Sequence, residues 1–300
     1  MKKSLFYIVM FFFLQVFALA VVWTGNRLTN GAGASMSVTW AIVMQAVFTI
    51  SCIMIFLWRR WSPIESFRLI LAKTPSLGTP GKTPYSDERR TSKRLMRLSG
   101  WALLAWATIA ALGSIVPSMW LQEHLSFLPD LTSDDMMELI HHPLGYFIIG
   151  ILAPLSEEIV FRGAILRELL CWLSERPEES GSIPYSRSRS WMAICLSALF
   201  FAAAHMNPAQ MPHAFLLGVL LGWLYWRTGS IVPGLVVHVV NNSVAFILAR
   251  AYPYMDDLTL EQLFGGSQRH VLMAIGFSLC LLLPALFQLH QRMPHRRDDQ

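Results

Sequence analysis

Apolar residues in this chain run in long blocks, with neither the strict alternation of a strand nor the one-sided stripe of a surface helix. That is the pattern of helices with apolar surroundings on every side. Eight blocks can be marked, approximately Leu5 to Trp23, Val38 to Trp58, Trp101 to Leu121, Pro143 to Trp172, Trp191 to His205, Pro212 to Trp226, Ile231 to Ala249 and Val271 to Leu289. Each comes near the roughly 20 residues that a helix rising about 1.5 Å per residue needs to cross a hydrocarbon layer. The pattern predicts an all-α fold, a polytopic membrane helix bundle with about eight transmembrane helices. Many block ends carry Trp or Tyr, among them Trp23, Trp58, Trp101, Trp120, Trp191, Trp226 and Tyr252, as the aromatic belts of a membrane interface predict.

Composition agrees and excludes an ordinary soluble domain. Charged residues make up 14% of the chain and hydrophobic ones 54%, with a mean hydropathy of +0.45, whereas soluble domains carry about 25% charge. The first block follows Lys2 and Lys3 like a secretory signal, but no convincing small-residue cleavage site precedes Asn26, so an uncleaved anchor is expected. The four cysteines, Cys52, Cys171, Cys195 and Cys280, fall in apolar blocks without paired spacing and point to no disulfide framework.

Charge placement orients the bundle, because basic loops stay cytoplasmic. With the amino terminus inside, nineteen of the 24 Lys and Arg fall on inner segments, ten of them between Arg59 and Arg97. Only Arg27, Arg250 and Arg269 fall outside, and Arg162 and Arg167 lie in the fourth block. Both termini are therefore expected in the cytoplasm, in the cell (inner) membrane. The net charge of +5 is explained by loops facing anionic lipid headgroups and calls for no nucleic acid. Three regions are expected: 1–142, three transmembrane helices with a basic cytoplasmic loop at 59–100; 143–250, a core of four; and 251–300, the last helix and a basic tail. Within the basic loop, Ile64, Phe67 and Leu71 share a helix face suited to the membrane surface, and Pro75, Pro80 and Pro84 mark an irregular stretch. A second polar connector is expected from Ser174 to Ser190.

Within the fourth block stand Glu157 and Glu158, side by side. An ionisable group at bilayer depth is costly and usually faces a cavity or a partner. Residues four apart share a helix face while neighbours diverge by about 100°. Glu158 is thus expected to pair with Arg162 as a supporting, structural pair, which leaves Glu157 without a partner in its own helix and suited to act as a general base. His238 and Asn242 are likewise four apart in the seventh block, although Asn241 is close enough to substitute, and His205 closes the fifth. His213 is a weaker cavity candidate, and His124, His141 and His142 read as interfacial.

An acid, two imidazoles and an amide suit two kinds of hydrolysis. In one, Glu157 with His205 deprotonates a water that attacks a peptide carbonyl, while His238 and Asn242 donate hydrogen bonds to the developing oxyanion. In the other, Glu157, His205 and His238 ligate Zn²⁺, which activates its bound water. The first needs no cofactor, and the same residue types serve both.

Three motifs in order, Glu157-Glu158-Ile159-Val160-Phe161-Arg162, Phe201 to His205 as Phe-x-x-x-His, and His238 to Asn242 as His-x-x-x-Asn, each on its own apolar block, resemble those of the CAAX prenyl endopeptidase and bacteriocin-processing (CPBP) group of intramembrane proteases. The resemblance covers about Pro143 to Ala249. It implies an eight-helix bundle that cleaves near the carboxyl end of a peptide or within a membrane-anchored protein substrate. It further implies Glu157 as the activating carboxylate with His205 beside it, and His238 with Asn242 as transition-state stabilisers. Both a metal-dependent and a glutamate-dependent mechanism go with the family. The signatures His-Glu-x-x-His, Gly-x-Gly-Asp and Gly-x-Ser-Gly, which would mark other membrane proteases, are absent from the sequence.

The competing expectation is a non-enzymatic membrane scaffold or bacteriocin-immunity protein, or a carrier using Glu157 and the histidines as a proton relay. Depth poses a difficulty for any shared site. Counted from Pro143 and Trp191, Glu157 and His205 lie about 21 Å from opposite faces, so in a core of roughly 30 Å they would miss each other by about 12 Å unless a helix tilts or protrudes.

Overall fold

The computed structural model describes residues 2–31, 38–58, 100–131, 133–174, 187–252 and 259–293. The basic loop expected at 59–100 falls outside the described residues except for Gly100. Most of the 174–190 connector and the tail from 294 onward also fall outside them.

All eight apolar blocks are helical over most of their length. The described elements are α1 (Lys2–Asn30), α2 (Val38–Trp58), α3 (Gly100–His124), the short α4 (Ser133–His141), α5 (Ala153–Glu158), α6 (Arg167–Ser174), α7 (Arg187–Ala204), α8 (Met211–Thr228), α9 (Val232–Ala251), a single turn α10 (Leu260–Leu263) and α11 (Gln268–Arg292). No strand occurs among the described residues. Four helical stretches are long and apolar enough to span a membrane, Val9–Thr29, Gly100–His124, Val232–Ala251 and Gln268–Gln291, with Ile42–Cys52 and Ser188–Ala204 as shorter apolar helices. The architecture is an all-α membrane bundle, in which eight is an approximate helix count.

Helix ends obey local chemistry. Pro212 and Pro233 stand in the first turns of α8 and α9, where a missing N–H costs nothing. α8 stops at Gly229, whose φ of +68° gives the left-handed residue that closes a helix.

Two packed regions carry the bundle. In one, α1 and α2 lean on the stretch 159–170, which packs in turn against α7 and α8. A chain of edge-on rings runs through it, with Phe11 to Phe48 at 5.4 Å, Phe11 to Phe161 at 4.9 Å and Phe161 to Phe201 at 5.2 Å. In the other, α3 packs along α11 and also meets α8 and α9. Ala107, Ala110, Ala111 and Gly113 line the α3 side. A Cβ on Gly113 would stand 2.6 Å from the Leu282 backbone nitrogen, the backbone proximity that small residues permit between membrane helices. Outward surfaces are apolar, including Phe13, Val16 and Phe17 on α1 and Leu272, Met273 and Phe277 on α11. Such faces suit lipid.

The fourth block departs from a regular α-helix. Residues Phe147–Leu152 and Ile159–Leu166 are π-helical, on either side of α5. Pro154 has no N–H to give the Gly150 carbonyl; at the next residue back, Ala153 N–H bonds Ile148 O, five positions earlier. Widened turns of this kind often accompany functional sites. Here they bracket the two glutamates.

Candidate active site

Glu158 is sealed, with 0% of its side chain exposed, and its Oε1 lies 3.0 Å from Arg162 Nη1. The four-residue pairing expected from the sequence is therefore present. The contact is an ion pair by distance and not an aligned hydrogen bond, since Nη1 has no hydrogen-bond partner among the described residues. Arg162 is otherwise held by donating from Nη2 to Gly218 O at 3.2 Å and by lying 4.4 Å over the Phe201 ring. A guanidinium buried to 1% exposure is tolerable only with such partners.

His238, from α9, joins the two acids. Its Nδ1 donates to Glu158 Oε1 at 3.2 Å, and its Nε2 lies 3.5 Å from Glu157 Oε2. Glu157 has no partner in its own helix, as expected, but its carboxylate is 24% exposed and faces this imidazole. The 100° divergence of neighbouring side chains separates the carboxylates without parting them, because the two ring nitrogens look in different directions. Spacing along the sequence did not anticipate this bridge.

His205 lies just past α7 and donates from Nδ1 to Phe201 O at 2.9 Å, which leaves Nε2 as an acceptor. Phe201 packs edge-on against both imidazoles, 4.9 Å from His205 and 5.6 Å from His238. The depth gap between the fourth and fifth blocks is thus bridged: one ring touches His205, His238 and Arg162, and His238 touches both glutamates.

The two asparagines divide differently. Asn242 donates its amide to Ile149 O in the π-helical stretch at 3.0 Å. Asn241 is buried, and its amide nitrogen lies 3.3 Å from His213 Nε2. His213, on α8, is within electrostatic reach of both His205 and His238, so it belongs to the cluster. His124 and His141 bond carbonyls of their own helices, Trp120 O and Met137 O, and take no part in it.

Among the described residues no three His, Cys, Asp or Glu side chains converge as a metal-holding group. Glu157 Oε2 and His238 Nε2, 3.5 Å apart, stand at about the separation of two ligands of one ion, but His205 does not converge on them as a third. Sequence reasoning also passed over two glycines. Gly218 supplies the carbonyl for Arg162, and a Cβ on Gly234 would stand 3.0 Å from Glu158 Oε2. A glycine at the closest approach of two helices was the available signal.

Comparison with known proteins agrees with this picture. Residues 140–244 match the family described as type II CAAX prenyl endopeptidase Rce1-like. The chain is also 24% identical over 174 residues to the membrane-embedded CAAX protease MroQ of Staphylococcus aureus (strain USA300). That alignment covers 57% of this chain and 66% of the relative, just under two thirds of its length. No solved structure matches. Both matches are to CAAX-type proteases, and the family match falls on the stretch that carries Glu157, His205, His238 and Asn242.

Proposed function

We propose that this protein hydrolyses a peptide bond in a membrane-associated or CAAX-like substrate, with Glu157 and His205 activating water and His238 and Asn242 stabilising the oxyanion. The observation that carries the proposal is the asymmetry of the two acids. Glu158 is shut away against Arg162, while Glu157 stays partly open and faces His238 Nε2 at 3.5 Å.

In this reading the buried Glu158 fixes the imidazole by accepting a hydrogen bond from its Nδ1–H, as a carboxylate does for a working histidine. His238 then presents Nε2 to the reacting centre. Charged by the water proton that Glu157 passes to that nitrogen across 3.5 Å, it donates to the developing oxyanion. The His205 Nδ1 bond to Phe201 O fixes that ring in the same way, with Nε2 available to take a proton from water. Asn242 spends one amide hydrogen on Ile149 O, which orients the other. No step passes through a metal. The partners are the lipid bilayer and a peptide or membrane-anchored protein, and the placement proposed is the cell membrane with both termini cytoplasmic.

The test compares membranes from cells producing the wild type and Glu157→Gln, with new peptide termini read by mass spectrometry. Termini generated by the wild type and missing in an equally abundant Glu157→Gln are the expected result. Identical termini in both would end the reading and favour a scaffold or immunity role.

A further inference from the structure

His205 stands beyond the last residue of α7, so the helix alone does not hold it. Its N–H reaches Ala202 O at 3.2 Å and that of Met206 reaches Ala203 O at 3.1 Å, the closing turn of α7. Met206 then takes φ +49°, a left-handed conformation that a residue with a side chain adopts only where its surroundings impose it. The next residue is Asn207, with 0% of its surface exposed.

Both ends of the Asn207 amide are engaged by the connector after α3. Its Nδ2 donates to Asp130 Oδ1 at 2.9 Å, and its Oδ1 accepts from Leu131 N–H at 3.3 Å. Its backbone carbonyl accepts from the N–H groups of Gln210 and Met211 at 3.0 and 3.1 Å, where α8 begins. One buried residue thus ties the end of α7, the start of α8 and a distant connector together. An amide donating to a carboxylate is among the stronger hydrogen bonds available. Nothing in the three motifs includes Asn207 or Asp130.

We propose that Asn207 and Asp130 form a positioning pair for His205, with the connector around residues 125–131 acting as a strap over the His205 turn. The inference rests on the catalytic role proposed for His205. Asn207 lies two residues from the imidazole and touches no reacting atom, so it acts through the placement of His205. Displacing that ring by about 1 Å can cost up to about a hundredfold in rate.

The experiment uses the full-length protein in lipid nanodiscs and a reciprocal exchange. Asn207→Asp keeps the shape and the bond from Leu131 N–H but sets a carboxylate against Asp130. Combining it with Asp130→Asn restores a donor facing an acceptor. Two readouts are taken: cleavage of a dye-quenched prenylated peptide ending in a CAAX sequence, and hydrogen–deuterium exchange with carbethoxylation of His205 by diethyl pyrocarbonate, both read by mass spectrometry. Asn207→Asp is expected to lower kcat by about tenfold to a hundredfold with KM within about twofold. It should also speed exchange at 203–211 and 125–131 together and change the His205 carbethoxylation rate, and the double variant should recover most of each.

Wild-type kinetics and exchange in Asn207→Asp would overturn the proposal. So would a double variant that melts like the wild type yet recovers nothing. Should Asn207→Asp fail to fold, Asp130→Asn alone carries the test, with a smaller fall in kcat expected and unchanged kcat as the contrary result. If the wild type leaves the peptide intact while the exchange and carbethoxylation arms behave as stated, the strap stands and the proteolytic reading is the one that fails.

Discussion

Nδ1 of His238 lies 3.2 Å from Oε1 of Glu158, and this contact determines what the other ring nitrogen can do. With the Nδ1 proton committed to a sealed carboxylate, Nε2 faces Glu157 as the free position of the ring. The same oxygen of Glu158 also serves Arg162. A single buried acid therefore neutralises a buried guanidinium and sets an imidazole.

Breaking this arrangement from one side should cost more than removing the charge pair entire. Glu158→Gln leaves the Arg162 charge without its contact partner among Phe201, Gly218 and the surrounding core, with only the more distant Glu157 to offset it, a loss on the order of 3–5 kcal/mol. Glu158→Gln with Arg162→Met leaves no charge at either position and is expected to recover part of that loss while remaining inactive. Thermal unfolding of the purified protein in one detergent checks the order. A double variant less stable than Glu158→Gln would contradict it.

Close helix approach at the acid makes a second expectation. Alanine at Gly234 would put its Cβ 3.0 Å from Glu158 Oε2, with Leu221 on the other side, so Gly234→Ala must displace the carboxylate or its helix. Overpacking of this kind costs about 1–3 kcal/mol, and a shifted Glu158 carries His238 with it, so activity should fall as well. Gly276 on α11 meets nothing within 4 Å, and Gly276→Ala should leave both melting temperature and turnover near the wild type.

How much of this was legible in the sequence varies with the range of the interaction. The helices were, because an apolar block long enough to span lipid can satisfy its backbone only within itself; α2 begins and ends at the expected Val38 and Trp58. The Glu158–Arg162 pair was also legible, since a four-residue spacing fixes a shared face. The π-helical turns were not, although Pro154 was a local cause in plain view, because many prolines bend a helix without widening it. The double contact of His238, and the division by which Asn242 turns to Ile149 while Asn241 turns to His213, depend on how α9 is rotated against its neighbours. No spacing within one helix encodes that rotation.

The two asparagines can be separated by kinetics. If Asn242 donates to the oxyanion, Asn242→Ala should lower kcat by about 10²–10³ with little change in KM, the usual effect of losing one such donor. Asn241→Ala removes only the contact with His213 and should cost about tenfold or less. Steady-state assays on one substrate decide the matter, and the reverse order would transfer the donor role to Asn241, whose side chain lies beside the histidine cluster.

Chelation distinguishes the two hydrolytic chemistries on the same active protein. A zinc mechanism needs Glu157, His205 and His238 to close on one ion at about 2.0–2.2 Å from each. In the structure His238 Nε2 lies 3.5 Å from Glu157, and its Nδ1 is committed to Glu158. The His205 ring is held through Nδ1 by the Phe201 carbonyl. Both Nε2 atoms stay available, but the three side chains do not converge as a metal-holding group among the described residues. Activity is therefore expected to survive 1,10-phenanthroline, and elemental analysis of active protein should give less than about one tenth of a zinc per chain. Loss of activity in the chelator, with recovery on adding Zn²⁺ back and no recovery in Glu157→Gln, would instead assign those three residues to a metal. It would show that the observed contacts are the resting arrangement of a site that rearranges around its ion.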